Sequence, residues 1–220
     1  EDLENTGNWE APDTEGRANL TDLAKAWIKK ATADFSNETL PQHLEDEADF
    51  EDYFFPGPVC FDACTFQQDA NFTGAGFAEG ASFQHAKFMS ELRMDRASYI
   101  NRLKFSCAEV AGNAHFHQLE VDGISYFEKC KFSGNTDFTM SKLGHIEFDW
   151  SIFESDTFFD STVFEGDASF RGVQLKNWTN FGGSHFMHRS YFESTRFDGF
   201  VTFNGAQFDH EASFVGAHSS

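Results

Sequence analysis

Two histidines one residue apart, His115 and His117, would stand on the same side of an extended strand, the spacing of a weak two-imidazole metal site. Residues 22 positions away, Arg93, Asp95, Asp137 and Thr139, surround that pair with mixed charge, so a polar surface is the better reading. The four cysteines, Cys60, Cys64, Cys107 and Cys130, have neither the clustered spacing of a zinc tetrad nor the density of a small disulfide framework. Seven acids, Glu147, Asp149, Glu154, Asp156, Asp160, Glu165 and Asp167, follow one another with no intervening base and form a candidate interaction surface. Asn-x-Ser/Thr sequons occur at Asn19, Asn37, Asn71 and Asn177 and matter only in a eukaryotic secretory chain. No nucleophile motif, phosphate loop or isolated carboxylate pair stands out, so neither catalysis nor a cofactor or metal is expected.

The elements that hold these residues are set by phenylalanine. The chain of 220 residues carries 29 Phe against 4 Tyr, 4 Trp and 4 Met, and a core that uses one shape repeatedly is a repetitive core. From Phe61 to Phe214 large apolar residues recur at alternating steps of five and six, at 29 positions of which 23 are Phe. The other six are Met94, Tyr99, Val110, Val121, Leu143 and Leu175. One step, Leu143 to Phe148, is five where six is due, and Phe50 and Phe55 extend the register upstream. Two residues before each of these central positions stands a second, small or aliphatic residue such as Cys64, Ala70, Ala75, Thr157 or Ala212. Two inward residues flanking one outward residue describe a short strand, and the Gly, Asn, Asp and Ser between them describe turns. A helix is excluded, because steps of five and six do not return to one face of a 3.6-residue turn.

Runs such as Ala70-Asn71-Phe72, Ala81-Ser82-Phe83, Ala168-Ser169-Phe170 and Ala212-Ser213-Phe214 resemble the pentapeptide-repeat family. The resemblance implies an all-β solenoid, a right-handed quadrilateral β-helix with four repeats per coil and central residues stacked inside. The extra residue at every second turn raises the coil to 22 residues and predicts two widened, opposite corners and a rectangular cross-section. Residues 50–214 then make about seven and a half coils, roughly 36 Å at the spacing of paired strands. The missing residue near Gly144 should tighten one corner locally. Outward residues 22 apart become neighbours, and their signs alternate: Lys87, Glu109 and Lys131; Arg93, His115 and Asp137; Glu120 and Lys142.

Three segments follow: an acidic arm over 1–17, a helix and its connection over 18–49, and the β-helix over 50–220. Apolar residues Leu20, Leu23, Ala24, Trp27, Ile28 and Ala31 keep helical spacing between Asn19 and Ala33, as expected of a cap on the solenoid end. Pro56 and Pro58 mark the point where the coil becomes regular.

The net charge of −20 argues against direct nucleic-acid binding. Residues 1–55 hold 15 acids against 4 bases, so −11 of that charge lies there and −9 on the rest. No stretch has the length of a membrane span and no signal pattern is present, which favours the cytoplasm over a secreted or periplasmic site. The first residue is Glu1 rather than Met, as in a processed form or fragment, and a leader is compatible with that start.

The expected function is a non-catalytic interaction scaffold or assembly subunit with protein partners. Phe203, Phe208 and Phe214, at the uncapped final coil, are a candidate association face, including for a homodimer. The family resemblance implies an alternative, an acidic imitation of duplex DNA that binds a type II topoisomerase such as gyrase and modulates or protects it. Against it, the seven acids map to a collar around one coil rather than a stripe along the axis. The stretch 87–104 is also net positive, with Lys87, Arg93, Arg96, Arg102 and Lys104 against Glu91 and Asp95.

Overall fold

A strand of two inward residues around one outward residue cannot stand alone and must find partners one coil away. The computed structural model describes residues 33–34, 39–40, 48–99 and 101–219, and within them every pairing of strands is parallel. The chain is a β-solenoid of about eight coils, with no helix among the described residues. Four faces succeed one another along the chain. In one coil face one is Phe54–Phe55, face two Val59–Cys60, face three Thr65–Phe66 and face four Ala70–Asn71, and each of these strands pairs with its counterpart 22 residues on. Faces three and four are sheets of nine and eight strands. Faces one and two fuse into one sheet of fifteen, because the strands Glu120–Tyr126 and Lys142–Glu147 run through the corner between them.

The expected amphipathic helix and acidic arm lie outside the described residues, apart from Ala33. In the stretch expected to connect helix and rod, Ala33–Asp34 pairs with Val59–Cys60 and Thr39–Leu40 with Thr65–Phe66, so the ladders begin before Phe50.

Every central position from Phe50 to Phe197 is buried, and so are the small residues two before it. On face two the rings of Phe61, Phe83, Phe105, Phe127, Phe148, Phe170, Phe192 and Phe214 form one continuous column, with centroids 4.7 to 5.3 Å apart. Face four supplies the opposing column, and its rings wedge edge-on between those of face two. Phe159 meets Phe148 and Phe170 at 5.6 Å each, and Phe181 meets Phe170 at 5.5 Å and Phe192 at 5.8 Å. Rings of faces one and three make no such contact with each other among the described residues, which gives the cross-section a short and a long axis. Where Met94 replaces a ring on face four, Tyr99 of face one stacks on Phe77 at 4.4 Å and donates its hydroxyl to Met94 Sδ at 3.4 Å.

The two kinds of corner work differently. After faces two and four the chain turns in five residues: the central carbonyl accepts the N–H three residues on, as from Cys64 to Phe61 O at 3.1 Å, and the residue between them has positive φ. At these five-residue turns sixteen residues from Asp52 to Gly216 hold this left-handed conformation, eleven of them not glycine, including Ala63, Lys129, Met140 and Trp150. The six-residue corners fall after faces one and three, opposite one another, and there successive coils touch backbone to backbone. A Cβ on Gly123 would collide with the Asn101 carbonyl oxygen. The short step after Leu143 falls in this same corner: pairing shifts from Val121 with Leu143 to Ile124 with His145, and Gly144 closes the gap. The offset of 22 returns at Ile146 with Ala168.

Buried hydroxyls divide the same way. Following a tight turn, Ser141, Ser151, Thr162 and Thr195 donate to the carbonyls of Phe116, Phe127, Phe138 and Phe170 one coil earlier, at 2.5 to 2.7 Å. On faces two and four, the hydroxyls of Ser125, Thr136 and Ser190 are buried without a partner. An unpaired buried hydroxyl opposes folding, whereas a bonded one adds about 1 kcal/mol. Ser141→Ala is therefore expected to lower unfolding free energy by about 1 kcal/mol, and Ser125→Ala, the same chemical change, to leave it unchanged or raise it, as read by denaturant titration. Gly123→Ala is expected to lower it by roughly 2 kcal/mol or more, because the coil-to-coil corner must open.

Candidate functional site

With the core closed by phenylalanine, chemistry is left to the outward columns and corners. The columns have the expected register: Lys87 lies beside Glu109 and Glu109 beside Lys131, Arg93 beside His115 and His115 beside Asp137, and Glu120 beside Lys142. The charges nevertheless meet diagonally. Lys131 Nζ reaches Glu154 at 3.5 Å, Lys142 Nζ reaches Glu165 at 3.3 Å, and Arg93 is held by Glu91 at 2.7 Å and Asp69 at 3.2 Å. Long side chains lean along their coil, so a carboxylate two residues past the neighbouring strand position is within reach.

Corner carboxylates and amides have a structural task. Asp69 Oδ1 accepts the Glu91 N–H at 3.2 Å, Asn113 Oδ1 that of Asn135 at 3.0 Å, and Asp95 Oδ1 that of His117 at 3.0 Å, each 22 residues on. These groups cap the amides that the strand ladders leave over where the chain bends.

The seven acids of the candidate surface are distributed around the rod, over its faces and corners. Glu147 Oε1 lies 3.0 Å from His145 Nε2. Asp149 accepts from Ser169 Oγ at 2.5 Å and from the Arg171 N–H at 3.1 Å. Glu154 stands between Lys131 and Lys176, the latter at 3.2 Å, and the two ammonium groups hold its carboxyl below the ordinary carboxylate range. Asp160 accepts from Thr139 Oγ1 at 2.5 Å and Asn180 Nδ2 at 2.8 Å, and Asp167 from the Arg189 N–H at 3.2 Å. Glu165 has Lys142, whose ammonium is held above its usual range by that hydrogen bond and charge. Asp156 makes no ion pair among the described residues. The cations at 87–104 lie on different faces rather than in one patch: Lys87 on face three, Arg93 on face four, Arg96 and Arg102 at corners and Lys104 on face two.

The remaining sequence features separate. Cys64 and Cys130 are buried and Cys60 and Cys107 half-buried, and no disulfide joins any two of them. Cys130 Sγ donates to the Phe105 carbonyl at 3.0 Å, and burial pushes its thiol far above the usual range. His115 Nε2 stands 3.9 Å from Glu91, and His117 takes part through its backbone. Among the described residues no three metal-ligating side chains converge. Asn71 lies on a strand, where its amide donates to Asp49 and accepts the Thr73 N–H, and Asn177 is exposed at a corner. Asn19 and Asn37 lie outside the described residues. Phe203, Phe208 and Phe214 stack on Phe181, Phe186 and Phe192 at 4.6 to 4.7 Å, the last of the core ladders.

Residues 55–98, two coils of this ladder, match the family model of pentapeptide repeats (9 copies). The matched coils carry the pentapeptide repeat, and the solenoid as a whole, with coils of about 22 residues, is consistent with a pentapeptide-repeat β-helix. No curated protein matches the chain. The same kind of coil continues past the matched stretch, with the one register shift at Gly144, through the pairing of Arg196–Phe197 with His218–Ser219.

Two features of this surface escape a reading along the chain. The left-handed corners are one, because Ala63, Met140 and Trp150 carry no turn signature. The other is a set of outward aromatics, Phe158, Trp178 and Phe200. Both become visible only when residues are read in columns 22 apart.

Partial burial by itself would push the Asp69 carboxyl up, but the bonds from Ser90 Oγ and the Glu91 N–H and the charge of Arg93 outweigh it and hold the group below its ordinary 3.8. A lowered folded-state value means that its contribution is present in full above the unfolded value and is lost as pH falls through the lower, folded one. Stability is thus expected to decline as pH drops below about 4, and Asp69→Asn to flatten that part of the curve, measured by thermal unfolding from pH 2 to 6.

Proposed function

We propose that this chain is a non-catalytic scaffold, a stiff rod whose outward columns hold protein partners at fixed spacing. One observation carries the reading: core positions are buried without a break from Phe50 to Phe197, while outward side chains are tied coil to coil at their corners. A surface already ordered in this way loses little conformational entropy when a partner docks. The coil with Phe203, Phe208 and Phe214 extends the proposal, since Phe214 is 42 % exposed and its ring can receive another layer, a second copy of the chain included.

Imitation of a DNA duplex draws less support. A mimic needs uncompensated acids in lines along the rod, whereas Glu154 and Glu165 are each held by lysine and the seven acids circle one coil. Affinity capture of the tagged chain from its native source, after mild crosslinking, is expected to return a defined protein in stoichiometric yield. A gyrase supercoiling assay with micromolar protein is expected to show neither inhibition nor protection. Gyrase inhibition, or capture that returns no protein beyond background, would overturn the scaffold reading.

A further inference from the structure

Three outward aromatics break the rule of their columns. Three residues before the centre of face four the column reads Asp69, Glu91, Asn113, Asn135, Asp156 and then Trp178 and Phe200. Two of its polar members, Asp69 and Asn113, cap the amide one coil on. One residue before the centre, the column reads Asp49, Asn71, Arg93, His115, Asp137, Phe158, Asn180 and Thr202. There Asp49, Asn71, Asp137 and Asn180 each accept the N–H two residues ahead, at 2.8 to 3.1 Å. The side chains of Phe158, Trp178 and Phe200 can accept no such bond. At two adjoining sites, Phe158 and Trp178, the fold gives up a cap that other coils use.

Nor do these rings repay the loss inside the core. Phe158 is half-buried, Trp178 is 40 % exposed and Phe200 is 71 % exposed. Their support is local: the rings of Phe158 and Trp178 meet edge to face at 5.4 Å, and Phe200 occupies the position 22 residues past Trp178. The surrounding charge is negative. Asp156 occupies the same column one coil before Trp178 and has no ion pair among the described residues, Asp160 lies two residues past Phe158, and the nearby Lys176 is engaged by Glu154 at 3.2 Å.

We propose that Phe158, Trp178 and Phe200 form a docking site for an arginine- or lysine-bearing segment of a partner protein. An indole face attracts a cation through its quadrupole, the aliphatic stem of such a side chain covers apolar surface, and Asp156 supplies the opposite charge. Charge complementarity selects this occupant over a neutral sugar or an apolar segment, neither of which uses an unpaired carboxylate. The proposal deepens the scaffold reading and rests on it.

The test is calorimetric titration of the full chain with hexa-arginine at low and moderate salt, beside Trp178→Asn and Phe158→Asn, which restore the residue type of other coils. Each variant is expected to bind roughly tenfold more weakly, with a thermal midpoint equal to or above that of the parent. Asp156→Asn is expected to weaken binding severalfold and to reduce its salt dependence. No binding by the parent, or equal binding by parent and variants, overturns the proposal in favour of diffuse attraction or none. A midpoint that falls by several degrees in both variants assigns the rings to stability and also overturns it. So does parent-only binding of cellohexaose, or parent-only self-association in sedimentation, with hexa-arginine binding unchanged across the variants. Capture from the native source probes the whole rod, so the scaffold reading can survive where this site fails.

Discussion

The structure depends on a coincidence of two lengths. Hydrogen-bonded strands lie about 4.8 Å apart, and aromatic rings pack face to face with an offset at nearly the same centroid distance. Phenylalanine placed at the same point of every coil therefore stacks on itself without tilting the backbone, as along face two from Phe61 to Phe214. Any coil that changed length without a local remedy would put the next ring out of register. This is why the single missing residue is absorbed at Gly144, in a corner where neighbouring backbones touch, and pairing at 22 is regained by Ala168. Faces one and three, which admit Val110, Val121, Leu143 and Leu175, leave the continuous aromatic column to face two.

Fidelity of the core forces expense at the corners. A chain that must bend after every strand takes the left-handed conformation at every tight turn, and eleven of those sixteen residues carry a Cβ that disfavours it by about 1 kcal/mol each. Such a turn survives because it is over-determined: the central carbonyl, the amide three residues on and, in four coils, a buried hydroxyl from the next coil converge there. The corner carboxylates belong to the same account. Asp69, Asp149 and Asp167 are as much internal caps as surface charges, so a formal charge of −20 overstates the acidity a partner would meet.

This division explains what could be read from the sequence. Strand positions, coil length, the opposite widened corners and the locally tightened one all follow from large apolar residues at steps of five and six, because burial imposes a strict requirement at each such position. The neighbours of Lys87, Arg93 and Glu120 followed as well. Which charge each cation meets did not, since Lys131 and Lys142 choose by side-chain reach and lean to Glu154 and Glu165. The seven acids were legible as a collar, but not as caps, because capping depends on which amide the ladder leaves over. Phe158 and Trp178 escaped notice for a related reason: among 29 phenylalanines, an aromatic outside the register looks like one more core residue until its column is read across coils.

A rod with a repetitive interior cannot encode specificity inside, because each coil buries nearly the same surface as the last. Information must then lie in departures from the column rule. Departures come in two kinds that physics can separate. Met94 beside Tyr99, or Gly144 at the short corner, compensate within the fold, the first by a sulfur-bound hydroxyl and the second by regained register. Such pairs maintain the rod and say nothing about partners. A departure that forfeits a cap and stays largely exposed, as at Trp178, has little compensation within the molecule. In a solenoid such a departure marks where a recognition surface is to be sought.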